Sequence, residues 1–383
     1  MYHADKQGVP LPSELAHFLL LGYSLQEFPG RGYLEALGEG FEVRANEVWV
    51  IAHLASVQKV NNTLLLLERR PFLAESEFLA LVQEIKFFEF QGLKIEFVPV
   101  RKSSGFLKIS GNPSPYFTDS DPFYPHKPLI AVEPICAQAQ NTSQAVSAYL
   151  KWVFSKLESH PLNFSRKAQG LKPVNMLITQ RPGQRKGFVN WTKKWGLKGL
   201  CIASQPLYKG LAKALGWDFI QVQDRNDPGL DLAERIKLAL ELEYDFVHVH
   251  TKAPDEAGHK KDPLEKARVI ASLDQGLEQL RQAVNTNQEL LLVITADHST
   301  ACSGNMIHTG ESVPICMVGQ YVRRDKVNAY NEVDCALGGL GIIKGDELMH
   351  LILNFLNRAK LKGLMDTPWD QPYYPGTYKP FTL

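Results

Sequence analysis

Between residues 199 and 359, short apolar runs rich in β-branched residues alternate with amphipathic segments of helical period, which leaves the chain few folds. Residues 199–203, 218–222, 246–250, 291–295 and 313–318 read as strands. The stretches 208–215, 232–242, 263–284 and 347–359 between and after them read as helices. A strand that must lie parallel to its predecessor needs a crossover of this length, so the pattern predicts one doubly wound α/β layer.

Two of these predicted strands run into carboxylates and imidazoles. Residues 246–250 lead to Asp255 and His259, and residues 291–295 lead to Asp297 and His298, with His308 a little further on. Ends of buried parallel strands are where open α/β sheets gather their chemistry. Aspartate oxygen and histidine nitrogen suit Zn²⁺ or Mn²⁺, and three such clusters converging on one sheet edge predict a two-metal site. Each residue alone would also serve as a cap, a turn or a surface group. Asp255 and His259 fit a helix cap and its neighbour, but Pro254 and Gly258 beside them argue for a loop.

Residues 57–190 read differently. Candidate strands at 49–57 and 64–67, a helix at 75–88, a hairpin at 94–109, a Pro-rich passage at 113–134, a helix at 145–157 and a strand at 174–179 suggest a smaller α+β domain. It would be inserted into a larger one made of residues 1–56 and 191–383. With 42 basic and 41 acidic residues, net charge +1, the chain offers no electrostatic reason to expect nucleic acid or an anionic membrane as partner. No apolar run has the length of a membrane span, the first residues do not read as a secretory signal, and the five cysteines lack paired spacing. A cytoplasmic location is the expectation. Cys302, close to the Asp297 segment, reads as a small buried residue.

Ser13 follows Pro12 and opens an apolar stretch, so it reads as a helix N-cap. The free amides and positive dipole end of a helix N-terminus equally suit a serine that carries a phosphoryl group.

Motifs along most of the chain carry a more specific resemblance. Ser13-Glu14-Leu15-Ala16-His17, the run from Phe28 to Gly38 around Pro29-Gly30-Arg31-Gly32, Asp119-Ser120-Asp121-Pro122 and the segment from Ala203 to Gly210 come first. Asp255-Glu256-Ala257-Gly258-His259, Thr295-Ala296-Asp297-His298-Ser299-Thr300 and Gly338-Gly339-Leu340-Gly341 follow in order. This set resembles the archaeal-type cofactor-independent phosphoglycerate mutases of the alkaline phosphatase superfamily. The resemblance implies an alkaline-phosphatase-like domain with an inserted substrate domain, interconverting 2-phosphoglycerate and 3-phosphoglycerate through a phosphoserine. It makes Ser13 the nucleophile and a metal ligand together with Asp297 and His298, and gives Asp255, His259 and His308 to a second metal. The ions expected are two divalent cations, Mn²⁺ first, with Mg²⁺, Co²⁺ or Zn²⁺ as alternatives. Lys209 would offset phosphate charge, or else be a solvated helix lysine.

Arg69, Arg70, Asp121 and Arg181 match positions near the family's substrate-binding motifs; as single residues they read equally as surface charges. Arg31, between two glycines, suggests a tight turn. The small phosphorylated partner would be a phosphoglycerate. Two departures stand against the pattern. No Asp-Gly strand precedes the serine segment, which predicts a weakened Ser13 metal site, and Pro71-Phe72-Leu73 and Ser103-Ser104-Gly105 stand where the family is richer in arginine. A phosphohydrolase or mutase of another phosphorylated metabolite, or a non-catalytic family member, are the alternatives these departures leave open.

Overall fold

The computed structural model describes residues 1–383 and divides into two units, Met1–Phe28 with Phe188–Leu383, and Pro29–Gly187. The first boundary therefore falls earlier than the expected one at residue 56, and the reason is the strand Val48–Val60. It pairs antiparallel with Ser104–Ser110 and Met176–Gln184 along its first part and with Thr63–Arg69 along its last. A strand bonded to three others cannot be shared out to another unit, so the residues leading into it belong with that sheet.

In the Pro29–Gly187 unit, the six-stranded sheet is completed by Leu93–Arg101 and Phe87–Phe90. Val48, Val50, Ala52 and Leu54 alternate onto one face of the strand and join the core, and the intervening Trp49, Ile51 and His53 are buried on the other. Helices Glu75–Ile85 and Gln140–Glu158 cover the Val48 face with Leu81, Ile85, Tyr149 and Val153. The expected helix to residue 88 stops at Ile85 because Phe87–Phe90 joins the sheet as a strand. Trp49, pointing the opposite way, packs with Phe41 and Phe106. Helix Arg31–Glu39 lies so close to Trp49 that a Cβ on Gly32 would overlap the Trp49 carbonyl. Arg31 is thus the first residue of a helix entered through Gly30 at φ 86°, rather than part of a tight turn.

The other unit holds the α/β layer. Gly199–Ala203 lies between Phe246–Val249 and Asp218–Gln221 in a parallel three-stranded sheet, crossed by helices Pro206–Leu215 and Pro228–Leu240. Leu292–Thr295 pairs antiparallel with Ile315–Val318, where a parallel strand was expected, and Tyr2–His3 runs parallel to Ile343–Lys344. Only Gly199–Ala203 is buried throughout; the strands leading to the carboxylates are half-buried. The predicted helix 263–284 is two helices, Pro263–Gly276 and Glu278–Thr286. Gly276 packs against the Gly229 backbone too closely for any Cβ, which ties the first helix to Pro228–Leu240 just where it ends.

Candidate active site

Asp255 and His259 lie on a helix, Ala253–His259, and not in the expected loop. Pro254 falls in the first turn, where its missing N–H costs nothing. Gly258 lets the helix press against Thr300. The four-residue spacing then puts Asp255 and His259 on one helix face, with His259 Nε2 3.2 Å from Asp255 Oδ1. His308 comes from a distant loop, with its Nε2 3.7 Å from the same oxygen. The ligand atoms of Asp255, His259 and His308 all lie within 4.8 Å of one another.

Ser13 is the first residue of helix Ser13–Leu20, with Pro12 at the N-cap position the serine was expected to take. Its side chain is thereby free of capping and meets His298, Oγ to Nε2 2.9 Å. Asp297 Oδ2 is 3.1 Å from the same Nε2. The His298 and His308 rings stack with centroids 3.6 Å apart, so the two groups of three adjoin.

Hydrogen bonds around this cluster determine which ring nitrogens carry protons. His308 Nδ1 donates to the Leu11 carbonyl at 2.7 Å, which leaves a lone pair on Nε2. The Thr300 hydroxyl donates to Asp255 Oδ1 at 2.6 Å, so at 3.3 Å it accepts from His298 Nδ1, and His298 Nε2 also presents a lone pair. Lone pairs of His298 and His308 thus point toward the Asp297 and Asp255 carboxylates. Acceptors facing acceptors at these distances fit a site that receives cations.

The ionisation states suit the same purpose. Burial opposes the Asp297 charge, but His17, 3.3 Å away, outweighs it by charge and hydrogen bond and holds the carboxyl well below its ordinary range. Burial likewise works against the Asp255 charge and is overcome by hydrogen bonds from Lys252 and Thr300, with Lys252 Nζ 2.9 Å from Oδ2. For His298 and His308 burial dominates and lowers both pKa values, keeping the rings neutral.

The model of the metalloenzyme superfamily matches residues 2–355. A 2,3-bisphosphoglycerate-independent phosphoglycerate mutase of Methanocaldococcus jannaschii is 40% identical over 377 residues, covering 94% of this chain and 84% of that relative. The chain belongs to the cofactor-independent phosphoglycerate mutases of the metalloenzyme superfamily. A Pyrococcus horikoshii protein has the same fold at TM-score 0.73 and 23% identity, covering 94% of this chain and 87% of that one. A cofactor-independent phosphoglycerate mutase from Thermoplasma acidophilum follows at TM-score 0.59 and 24% identity, covering 92% and 89%. Members of this superfamily bind divalent metal, and the donor set built around Asp255 and Asp297 fits such ions.

The family sites expected elsewhere are distributed as follows. Lys209 is half-buried on helix Pro206–Leu215 beside Tyr208, whose ring stacks on His250 with centroids 3.8 Å apart; no direct bond ties Lys209 to the carboxylates. In the Pro29–Gly187 unit, Arg69 Nη2 is 2.7 Å from Asp121 Oδ2, and Gln180 Nε2 donates to the same oxygen. Arg70 donates to His53 Nε2 at 2.7 Å, while the Arg181 backbone N–H donates to Asp119 Oδ1 at 2.5 Å.

Sequence reasoning assigned no role to His17 and Thr300. His17 Nδ1 donates to the Ser13 carbonyl at 2.8 Å and lies 3.3 Å from Asp297 Oδ2, bracing both residues. The signal was its position four residues after Ser13 on an apolar helix. Thr300 had none, because a hydroxyl two residues past a histidine has no characteristic spacing. No helix of the chain is long and apolar enough to cross a membrane.

Proposed function

We propose that the protein interconverts 2-phosphoglycerate and 3-phosphoglycerate through a phosphoserine at Ser13. The observation that carries this reading is the Ser13 hydroxyl against the Asp297-His298 pair, with the Asp255, His259 and His308 group alongside. Asp255, His259 and His308 would hold one divalent ion and Ser13, Asp297 and His298 a second, with Mn²⁺ the ion expected for mixed oxygen and imidazole donors. Bound there, such ions supply the positive charge that favours the serine alkoxide and the phosphoryl group in flight.

The residues of the chain do the rest. Ser13 Oγ forms a bond to phosphorus as the bond from phosphorus to the glycerate oxygen breaks, and the serine proton ends on that oxygen. The reverse transfer delivers the phosphoryl to the other hydroxyl of the glycerate and restores Ser13. His17 holds the Ser13 carbonyl and the Asp297 carboxylate in fixed relation throughout. The amides of Ser13 and Glu14 lie in the first turn of the helix, where no carbonyl of the helix can accept from them, and favour negative charge at the serine. Lys209 adds a cation on the same unit. Arg70 and Arg181 would take up the carboxylate and phosphate of the substrate, with Arg69 held beside them by its bonds to the buried Asp121.

The test is direct. Purified protein with Mn²⁺ and 3-phosphoglycerate, followed by ³¹P NMR, should yield 2-phosphoglycerate without added 2,3-bisphosphoglycerate. Net release of inorganic phosphate, or no reaction, would overturn the reading.

A further inference from the structure

His53 lies on the central strand Val48–Val60 and is only 4% exposed. Its two nitrogens have different partners: Nε2 is 2.7 Å from Arg70 Nη2 and Nδ1 is 3.0 Å from Ser104 Oγ. A guanidinium can only donate, so Nε2 is the acceptor and the ring proton resides on Nδ1, where it bonds to Ser104. Burial first, then the charges of Arg70, Arg69 and Arg31, lower the His53 pKa to about 3, so the ring stays neutral.

The two adjacent arginines differ in what faces them. Arg69 places Nε and Nη2 at 2.9 and 2.7 Å from Asp121 Oδ2, whose side chain is fully buried, and its guanidinium lies 5.0 Å from the Phe123 ring centroid. Its charge is compensated within the fold. Arg70 is exposed and its bond goes to a neutral imidazole; the Glu35 and Asp121 carboxylates act on it only through space, without a hydrogen bond. Its backbone is held in the left-handed region at φ 53°, a conformation that surrounding structure must impose on a residue of this kind. Ser103, next to the Ser104 that anchors His53, donates to the Pro71 carbonyl at 2.6 Å and ties down the segment just after Arg70. These are the stretches where the chain departs from the arginine-rich family pattern.

We propose that His53 is a positioning residue that fixes the Arg70 guanidinium, which bonds to no carboxylate of the fold, as the receiver of one oxyanion group of the substrate. This rests on the phosphoglycerate reading, and the oxyanion is the phosphate or the carboxylate of that substrate. A protonated or acidic partner in place of His53 would repel or neutralise Arg70. A neutral acceptor orients one N–H and leaves the others, with the full charge, for the ligand.

Calorimetric titration of the whole protein with inorganic phosphate and, separately, with glycerate tests this and tells the two groups apart. His53→Leu should weaken whichever of the two the wild type binds by about tenfold, the value of one oriented bond to a charged group, while His53→Gln keeps an acceptor and should stay within about threefold. In turnover His53→Leu should raise KM with kcat nearly unchanged. Arg70→Gln, at an exposed position, should reproduce the loss independently of any effect of His53→Leu on folding. Unchanged binding in His53→Leu or Arg70→Gln, an equal loss in His53→Gln and His53→Leu, a fall in kcat at constant KM, or no binding of either anion by the wild type would overturn the proposal. Oxyanion binding that depends on His53 in a protein without mutase activity would support it while overturning the phosphoglycerate reading.

Discussion

Replacing Gly258 by alanine should reverse the usual effect of that substitution. Within an exposed helix, Gly→Ala stabilises by about 1 kcal/mol because glycine has more conformational freedom to lose. Gly258 is buried, and a Cβ built on it would lie 2.8 Å from the Thr300 carbonyl oxygen and 2.9 Å from Thr300 Cγ2. Comfortable carbon contacts begin near ~3.5 Å, so helix Ala253–His259 or Thr300 must move by roughly half an ångström or more. Neither is free to do so. The Thr300 carbonyl accepts from Lys266 Nζ at 2.6 Å, and its hydroxyl donates to Asp255 Oδ1 at 2.6 Å. Overpacking of this kind costs about 1–3 kcal/mol, which exceeds the helical gain and leaves a net loss of about 1 kcal/mol. The displacement also disturbs the bond that orients Asp255, and loss of such a supporting contact typically weakens metal binding by about tenfold or more. Thermal unfolding with and without chelator, together with calorimetric titration of Mn²⁺, reads both effects. A Gly258→Ala protein that is more stable than the wild type and binds Mn²⁺ equally well would refute the argument.

Ser13→Ala should abolish mutase turnover while leaving the circular dichroism and melting temperature near those of the wild type, since the lost hydroxyl bonds only to His298; residual interconversion would exclude a phosphoserine. Treatment with a chelator should inactivate the enzyme and Mn²⁺ should restore it, measured in the same ³¹P assay. His53 gives a pH dependence with a defined sign. Its folded pKa, about 3, lies below the ordinary histidine value of 6.5, so the unfolded chain takes up a proton that the folded one does not, and stability falls as pH drops below 6.5 toward 3. Between pH 7 and 5 the wild type should therefore lose about 2 kcal/mol more than His53→Gln in urea unfolding, and equal losses would mean that His53 protonates in the fold.

Strand-helix alternation after residue 199, and the carboxylates and histidines clustered after two of its apolar runs, could be read from the chain because both are local. A β-branched run, a helical period and an Asp-His pair each lie within a few residues. The convergence of Asp255, His259 and His308, and of Ser13 with Asp297 and His298, followed from the order of motifs and from family resemblance, whereas their distances needed the fold. Whether Asp255 and His259 sat in a loop or on a helix turned on Gly258, whose role depends on Thr300, forty-two residues away in sequence. The first domain boundary was misread for the same reason: Val48–Val60 looked like any apolar strand until its three partners, all later in the chain, were known. Charge compensation was equally invisible. Arg69 and Arg70 are neighbours with the same side chain, yet a buried Asp121 faces one and a neutral His53 the other, because the strand ends at Arg69 and the chain turns at Arg70, φ 53°. Residue type and local period determine which groups a segment offers; which group meets which is decided by long-range packing.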